Sequence, residues 1–459
     1  VVLFHAHVPG LSGGLVGVDV FFIISGFLIT GLLWREVNST GTVGLRRFYG
    51  ARARRLLPAS ATVGVAIMIG AAVVSPTLQS RTVFVDGVAS ALYVSNYRFA
   101  LQGVDYLAVS GPPSPFQHYW SLGVEEQFYL VWPALIIGTT WLVRRVRRRA
   151  QADAPSLQRP YLVVLAIVGA LSFAASLVLT QVLPPMAFFS LPTRAWELAA
   201  GGLVALTVGR WRRLPTWPAA AAGWAGLSLI LLSCCYLSPN TPYPGSAALL
   251  PVLGTALVIG AGCAAPSQGC GRVLAISPMR AVGRVSYSWY LWHWPVLSIA
   301  LWSFAPVMGH TLWLALAGIL ISLGFAVVTL RLIENPLRFA NFARRSAMRS
   351  LALGGVATGV AVGVGIALQV PDPVGRGAPA TALTVTAVDP PAGSDMNAYD
   401  VAVQHAFTQV QAAVAASAGL TAVPSNLEPP LAHAAFKGPL GGSKGCLRGL
   451  YQVGQPECA

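Results

Sequence analysis

The chain has 459 residues, is 55% hydrophobic and only 10% charged, and has a mean hydropathy of +0.64. A soluble domain carries about 25% charged residues, so a soluble globular fold is excluded. The formal charge is +15, but the arginines fall in short loops between apolar runs, which reads as membrane topology rather than a nucleic-acid surface.

Apolar runs predict spans over 1–8, 16–34, 58–75, 119–143, 160–180, 193–209, 217–236, 247–264, 286–304, 311–332 and 350–370. The fold class is therefore all-α, a polytopic membrane helix bundle. It has about ten core transmembrane helices and an eleventh that leads into a tail. The first residue is Val within an apolar run, so the first span is expected to begin before it. Loops 35–57, 144–159, 210–216, 265–285 and 333–349 hold 22 of the 30 Lys and Arg residues, whereas the alternate loops hold two. The positive-inside rule places the first set in the cytoplasm and the second outside, with some attraction to anionic lipid heads.

Two regions depart from plain spans. Within the long external loop 76–118, the stretch 82–103 is apolar but carries Asp86 and Arg98, and predicts one interfacial or re-entrant helix. Residues 371–459 are rich in Pro, Gly, Ala and Thr and read as an extracytoplasmic linker, with a weak helical pattern over 397–418. The expected division is 1–340 for the membrane domain, 341–370 for a loop and additional helix, and 371–459 for the linker. Cys446 and Cys458 lie in this tail, where an oxidising compartment permits a disulfide. The other four cysteines read as small apolar filler. No metal-ligand spacing or nucleotide-binding fingerprint occurs.

Ionisable groups at membrane depth are costly and mark candidate sites. His5 lies about one turn before the loop VPGLSGG, as a base or as an interhelical hydrogen-bonding group. Asp19 follows near the outer end of the second span, able to orient His5 or to serve as a helix-start charge. Arg52 and Arg55 are three residues apart on one helix face, a phosphate-binding pair or a topogenic cluster. In HYWSLGVEEQFYLVWP (118–133), His118 opens the motif, Ser121 and Glu125 share a face, and Glu126 points about 100° away. Arg194 and Glu197 are an i,i+3 pair. His293 lies among tryptophans, and Glu334 is a capping or salt-bridging residue.

Six stretches in order resemble the acyltransferase 3 family of membrane proteins. They are LFHA with GVDVFFIISGFLIT (17–30), FYGARARRLLPA (48–59), HYWSLGVEEQFYLVWP, FSLPTRAWELAAGG (189–202), VSYSWYLWHWP (285–295) and IENPLR (333–338). The resemblance implies O-acylation of an extracytoplasmic cell-envelope glycan or glycolipid, an acyltransferase of the class that moves groups other than aminoacyl groups. His5 matches the family's first-helix His, whose basic partner would precede Val1. Arg52 and Arg55 match its RxxR, implicated in handling acyl-CoA, and Glu125 matches the Glu of WSLxxE. The tail resembles the linker that precedes an SGNH hydrolase-like domain in many relatives, and no GDSH block is present.

The expected reaction takes an acyl group, acetyl by resemblance, from cytoplasmic acyl-CoA, with no permanently bound cofactor and no metal. His5 is the expected base, in a multi-pass protein of the bacterial inner membrane; an SGNH-type domain or protein is a further expected partner. The rival readings are a transporter of a lipid or glycan and a degenerate, non-catalytic relative. One geometric difficulty attends the enzyme reading. The second span is ~27 Å long at 1.5 Å per residue, which sets His5 and the arginines at opposite ends.

Overall fold

The computed structural model describes residues 1–75, 77–104, 113–150, 158–238, 240–308 and 312–370, and parts of 377–426. Cys446 and Cys458 lie outside the described residues. The described chain is helical: α1 (Val2–His5), α2 (Gly17–Thr40), α3 (Leu45–Val74), α4 (Thr77–Ala91), α5 (Ser95–Leu101), α6 (Tyr119–Ala150), α7 (Gln158–Val182), α8 (Pro184–Phe189), α9 (Leu191–Leu206), α10 (Val208–Trp211), α11 (Thr216–Tyr236), α12 (Leu249–Ala264), α13 (Cys270–Leu274), α14 (Ser277–Met308), α15 (Leu312–Thr329), a π-helical turn (Leu330–Glu334), α16 (Asn335–Phe339), α17 (Asn341–Arg344), α18 (Ala347–Ala367) and α19 (Met396–Ser417).

Among the described residues six helices are long and apolar enough to cross a membrane: Gly14–Thr40, Leu45–Val74, Gln158–Val182, Thr216–Tyr236, Leu312–Phe339 and Ala347–Ala367. A backbone in lipid must satisfy its own hydrogen bonds, and helices of this length do so. The protein is a multi-pass membrane protein. The remaining expected spans take other forms. Residues 119–143 and 286–304 belong to the 32-residue helices α6 and α14, while 193–209 and 247–264 correspond to the 16-residue helices α9 and α12. The stretch 82–103 forms two helices, not the single one expected. The chain turns at Tyr93, whose φ of +57° breaks the helix, and Asp86 on α4 pairs with Arg98 on α5 at 2.5 Å.

Two compact units are present. The first, Val1–Val74 with Val83–Leu368, is the helix bundle. Apolar helices gain little from burial against lipid of the same polarity, so they associate by close packing of small residues and by interhelical hydrogen bonds. Both devices appear. At the α2–α9 crossing a Cβ on Gly26 would strike the Leu198 carbonyl, and one on Gly201 would strike that of Ile23. Tryptophan indoles bond to hydroxyls on neighbouring helices: Trp132 to Thr30 (2.8 Å), Trp289 to Ser322 (3.1 Å) and Trp292 to Thr329 (2.8 Å). Overpacking costs about 1–3 kcal/mol, so Gly201→Leu is expected to lower the melting temperature in detergent. Gly138→Ala, at a position with nothing within 4 Å, is expected to leave it unchanged. Light-scattering melts check this, and equal melting of Gly201→Leu and wild type would rule out the close crossing.

The second unit comprises Ser75–Thr82 and Gln369–Ala459. Its principal element is α19, which realises the helical pattern over 397–418. The Asp395 side chain caps it by accepting from the Ala398 amide at 3.0 Å.

Helices α2 and α6 run side by side in the same direction. Ser25 meets Glu125 and Thr30 meets Trp132, and at their far end Gly41 meets Arg144. That far end carries the arginine clusters and is called the arginine-rich end below.

Candidate active site

His5 ends α1 and is 5% exposed. Its ring stands 4.4 Å from Trp294 and 5.4 Å from His293, and His293 stands 5.5 Å from His118. Three histidines distant in the chain, from α1, the start of α6 and the middle of α14, thus form one buried cluster. Two of them have their proton position fixed by the backbone. His118 Nε2 lies 3.0 Å from the Leu291 carbonyl, and His293 Nδ1 lies 2.6 Å from that of Tyr290. A carbonyl only accepts, so each of these nitrogens is the N–H, and the other nitrogen carries the lone pair. Those lone-pair nitrogens, Nδ1 of His118 and Nε2 of His293, are buried with no hydrogen-bond partner among the described residues. The cluster therefore holds basic nitrogens buried inside the bundle. Among the described residues no three His, Cys, Asp or Glu side chains converge to hold a metal ion.

A column of polar groups descends from this cluster along one face of α6. The Tyr290 hydroxyl donates to the His118 carbonyl (3.0 Å) and meets Ser121 Oγ at 2.7 Å. One turn further, Glu125 Oε1 accepts from Ser25 Oγ at 2.7 Å and from the Tyr129 hydroxyl in a short bond. Ser25 and Tyr129 also meet, at 3.0 Å. Beyond Tyr129 comes Arg52, whose guanidinium lies 5.0 Å from the Tyr129 ring and 3.7 Å from that of Phe48. Its Nη1 donates to the Phe48 carbonyl at 3.3 Å, and it is within electrostatic reach of both Glu125 and Glu126.

This column spans the expected separation between His5 and Arg52. Residues 118 and 129 are eleven apart on α6, roughly 16 Å at 1.5 Å per residue. Arg52 enters the bundle instead of staying at its end. The other arginines of FYGARARRLLPA do different work. Arg54 donates to the Arg338 carbonyl and to Ser350 Oγ, both at 3.3 Å, and Arg55 is exposed.

Asp19 lies in the first turn of α2, the helix-start position, and pairs with Arg194 and not with His5. The Asp19 carboxylate takes Arg194 Nη1 at 3.0 Å, and the same nitrogen reaches Glu197 Oε1 at 2.9 Å. All three side chains are at most 1% exposed. Arg194 Nε donates to the Phe188 carbonyl, and the rings of Trp120, Phe188 and Tyr243 surround the guanidinium at 5.0–5.5 Å. The i,i+3 pair is thus one half of a triad that ties α2 to α9. Glu334 sits in the π-helical turn, where Ser288 donates to it at 2.7 Å and Arg338 approaches at 3.9 Å.

Ser25, Tyr129 and Tyr290 were not singled out from the sequence, although each had a signal. Ser25 and Thr30 are the two hydroxyls in the apolar run 20–34, and both face α6. Tyr129 is i+4 from Glu125, and Tyr290 is i−3 from His293, so each shares a helix face with its partner.

Fold and site together define a polytopic membrane protein whose bundle buries a histidine cluster and, in line with it, a carboxylate, with a half-buried arginine beyond. The chain belongs to the acyltransferase 3 family: the family's profile, described as an acyltransferase domain, matches residues 1–331. It is similar to the peptidoglycan O-acetyltransferase OatA of Listeria monocytogenes, with 29% identity over 354 residues, 74% of this chain and 54% of that protein. It is also 29% identical over 368 residues to the putative peptidoglycan O-acetyltransferase YrhL of Bacillus subtilis (75% and 54%), and 28% identical over 362 residues to the O-acetyltransferase OatA of Staphylococcus aureus (74% and 55%). The chain spans about half the length of these curated relatives. No solved structure matches it.

Proposed function

We propose that this protein is a membrane O-acyltransferase that moves an acetyl group from a cytoplasmic acyl-CoA to a hydroxyl of a cell-envelope glycan. Three relatives are named as O-acetyltransferases, two of them for peptidoglycan, which supports acetyl as the group and peptidoglycan as the acceptor. The observation that carries the reading is the column of buried polar groups from the histidine cluster to Arg52. A reaction with its donor on one side of a membrane and its acceptor on the other needs reactive groups in line across the bundle. The arginine distribution supports a cytoplasmic arginine-rich end in a bacterial inner membrane, and an external tail.

In this reading Arg52 holds donor phosphate or the polar pantetheine arm, a task suited to the arginine fork. The acyl thioester passes Tyr129, Glu125 and Ser25 towards the histidines. His5 accepts the proton of the acceptor hydroxyl as its oxygen attacks the thioester carbon. The new C–O bond forms, the C–S bond breaks, and the departing thiolate takes the proton held by the imidazole. His293 and His118 stand beside His5 and hold its surroundings neutral and dry. A dry site strengthens every polar contact made as charge develops.

Deletion of the gene is expected to remove ester-linked acetate from purified peptidoglycan, and the wild-type gene to restore it. Alkaline release of acetate provides the measurement. Unchanged acetate in the deletion strain would overturn the reading. Accumulation of a lipid or glycan with its acetate intact would favour a transporter instead.

A further inference from the structure

A pocket of about 510 Å³ opens at the arginine-rich end, lined by Gly41, Thr42, Ile137, Thr140, Trp141, Arg144 and Arg145. Its volume falls within the roughly 300–1,000 Å³ of small-ligand sites. It uses none of the groups assigned above. Arg144 packs directly against Gly41, which has a φ of +79° and no side chain; any Cβ there would collide with the guanidinium. The C-terminal end of α2 carries partial negative charge and helps to hold this cation. Arg145 lies over the Trp141 ring at 5.1 Å, and the indole remains 59% exposed. Neither arginine makes an ion pair among the described residues. Two uncommitted guanidinium forks beside an open indole face suit a ligand with phosphate groups on a planar base.

We infer that this pocket receives the nucleotide end of the acyl-CoA donor, with adenine against Trp141 and phosphates on Arg144 and Arg145. The inference rests on the donor reading given above and adds a second anchor to it. Arg144 and Tyr129 are fifteen residues apart on α6, roughly 22 Å at 1.5 Å per residue. That length is comparable to an extended pantetheine arm. Thr140 and Arg144 project within about 60° of the Tyr129 direction at 3.6 residues per turn, whereas Trp141 and Arg145 lie about 120° and 160° from it, so the pocket wraps from the column side of α6 onto its flank. A ligand anchored here can therefore send its thioester towards Arg52 and Glu125 while its nucleotide stays at the surface.

The test uses the full chain in nanodiscs of zwitterionic lipid, with binding of CoA, dephospho-CoA and 4′-phosphopantetheine measured by calorimetry. CoA is expected to bind roughly tenfold or more tightly than phosphopantetheine, a charge-assisted contact and a stacked base being lost in the latter. Trp141→Ala and the Arg144→Ala, Arg145→Ala double variant are expected to erase that difference and to leave phosphopantetheine binding unchanged. The Lys double variant controls for folding and is expected to fall between them, since a point charge replaces a fork. Wild-type CoA affinity in all three variants would overturn the pocket assignment, as would loss of phosphatidylglycerol binding, measured in separate nanodiscs doped with that lipid, with CoA binding intact. Absence of binding by both CoA and phosphopantetheine in the wild type would instead overturn the donor reading.

Discussion

His5→Ala is expected to lower acetyl transfer by about 10²–10⁴-fold, the usual contribution of a positioned base, with the protein still folded and CoA still bound. His5 ends a four-residue helix, so its loss removes little packing. Its ring meets His293 and Trp294, and truncation opens a small gap beside them. The measurement is acetate on peptidoglycan from a deletion strain carrying the variant, beside CoA affinity of the purified variant. Full restoration of acetate would move the base from His5 to one of its neighbours, and His293, with its bare Nε2, is the first to examine. Loss of both activity and CoA binding would mark His5 as structural.

The second large effect is on assembly. Arg194→Ala is expected to cost about 3–5 kcal/mol, the penalty for breaking a buried ion pair from one side. The substitution leaves Asp19 and Glu197 buried without their shared cation, at the junction of α2 and α9. Little folded protein should survive size-exclusion chromatography. Combining Arg194→Leu with Asp19→Asn and Glu197→Gln should recover much of the yield, because the charge imbalance disappears with the pair. Wild-type yield from Arg194→Ala alone would show that the triad serves a ligand instead of the bundle.

Topology and site were legible in the sequence to different degrees. The six helices long and apolar enough to cross a membrane could be read from hydropathy because lipid imposes a length and a polarity on them. The pairing of Arg194 with Glu197 could be read from i,i+3 spacing. The partner of Asp19 could not, since 175 residues separate it from Arg194 and only packing of α2 on α9 joins them. The same limit hid the histidine cluster: His5, His118 and His293 were each suspected singly, and nothing in their spacing says that α1, α6 and α14 converge. Arg52 was placed at the membrane edge because a cluster of arginines usually stays there. Its neighbours Arg54 and Arg55 do stay near that end, whereas Arg52 turns inward onto Tyr129. The break between α4 and α5 leaves no mark in the sequence, because the stretch 82–103 has no Pro and the turn falls on Tyr93, a residue type rarely found at positive φ.

The polar column is not continuous. Tyr290 and Ser121 form one hydrogen-bonded set, and Ser25, Glu125 and Tyr129 form another. Among the described residues no hydrogen bond joins the two, and buried Leu122, Val124 and Phe128 flank the turn between them. Each elementary charge that crosses an energised membrane is worth about 2.3 kcal/mol per 100 mV. An unbroken file of titratable side chains would let protons run down that voltage without any acetyl being moved. In a membrane that carries such a voltage, the apolar turn between Ser121 and Glu125 would interrupt that file as a layer of insulation interrupts a wire.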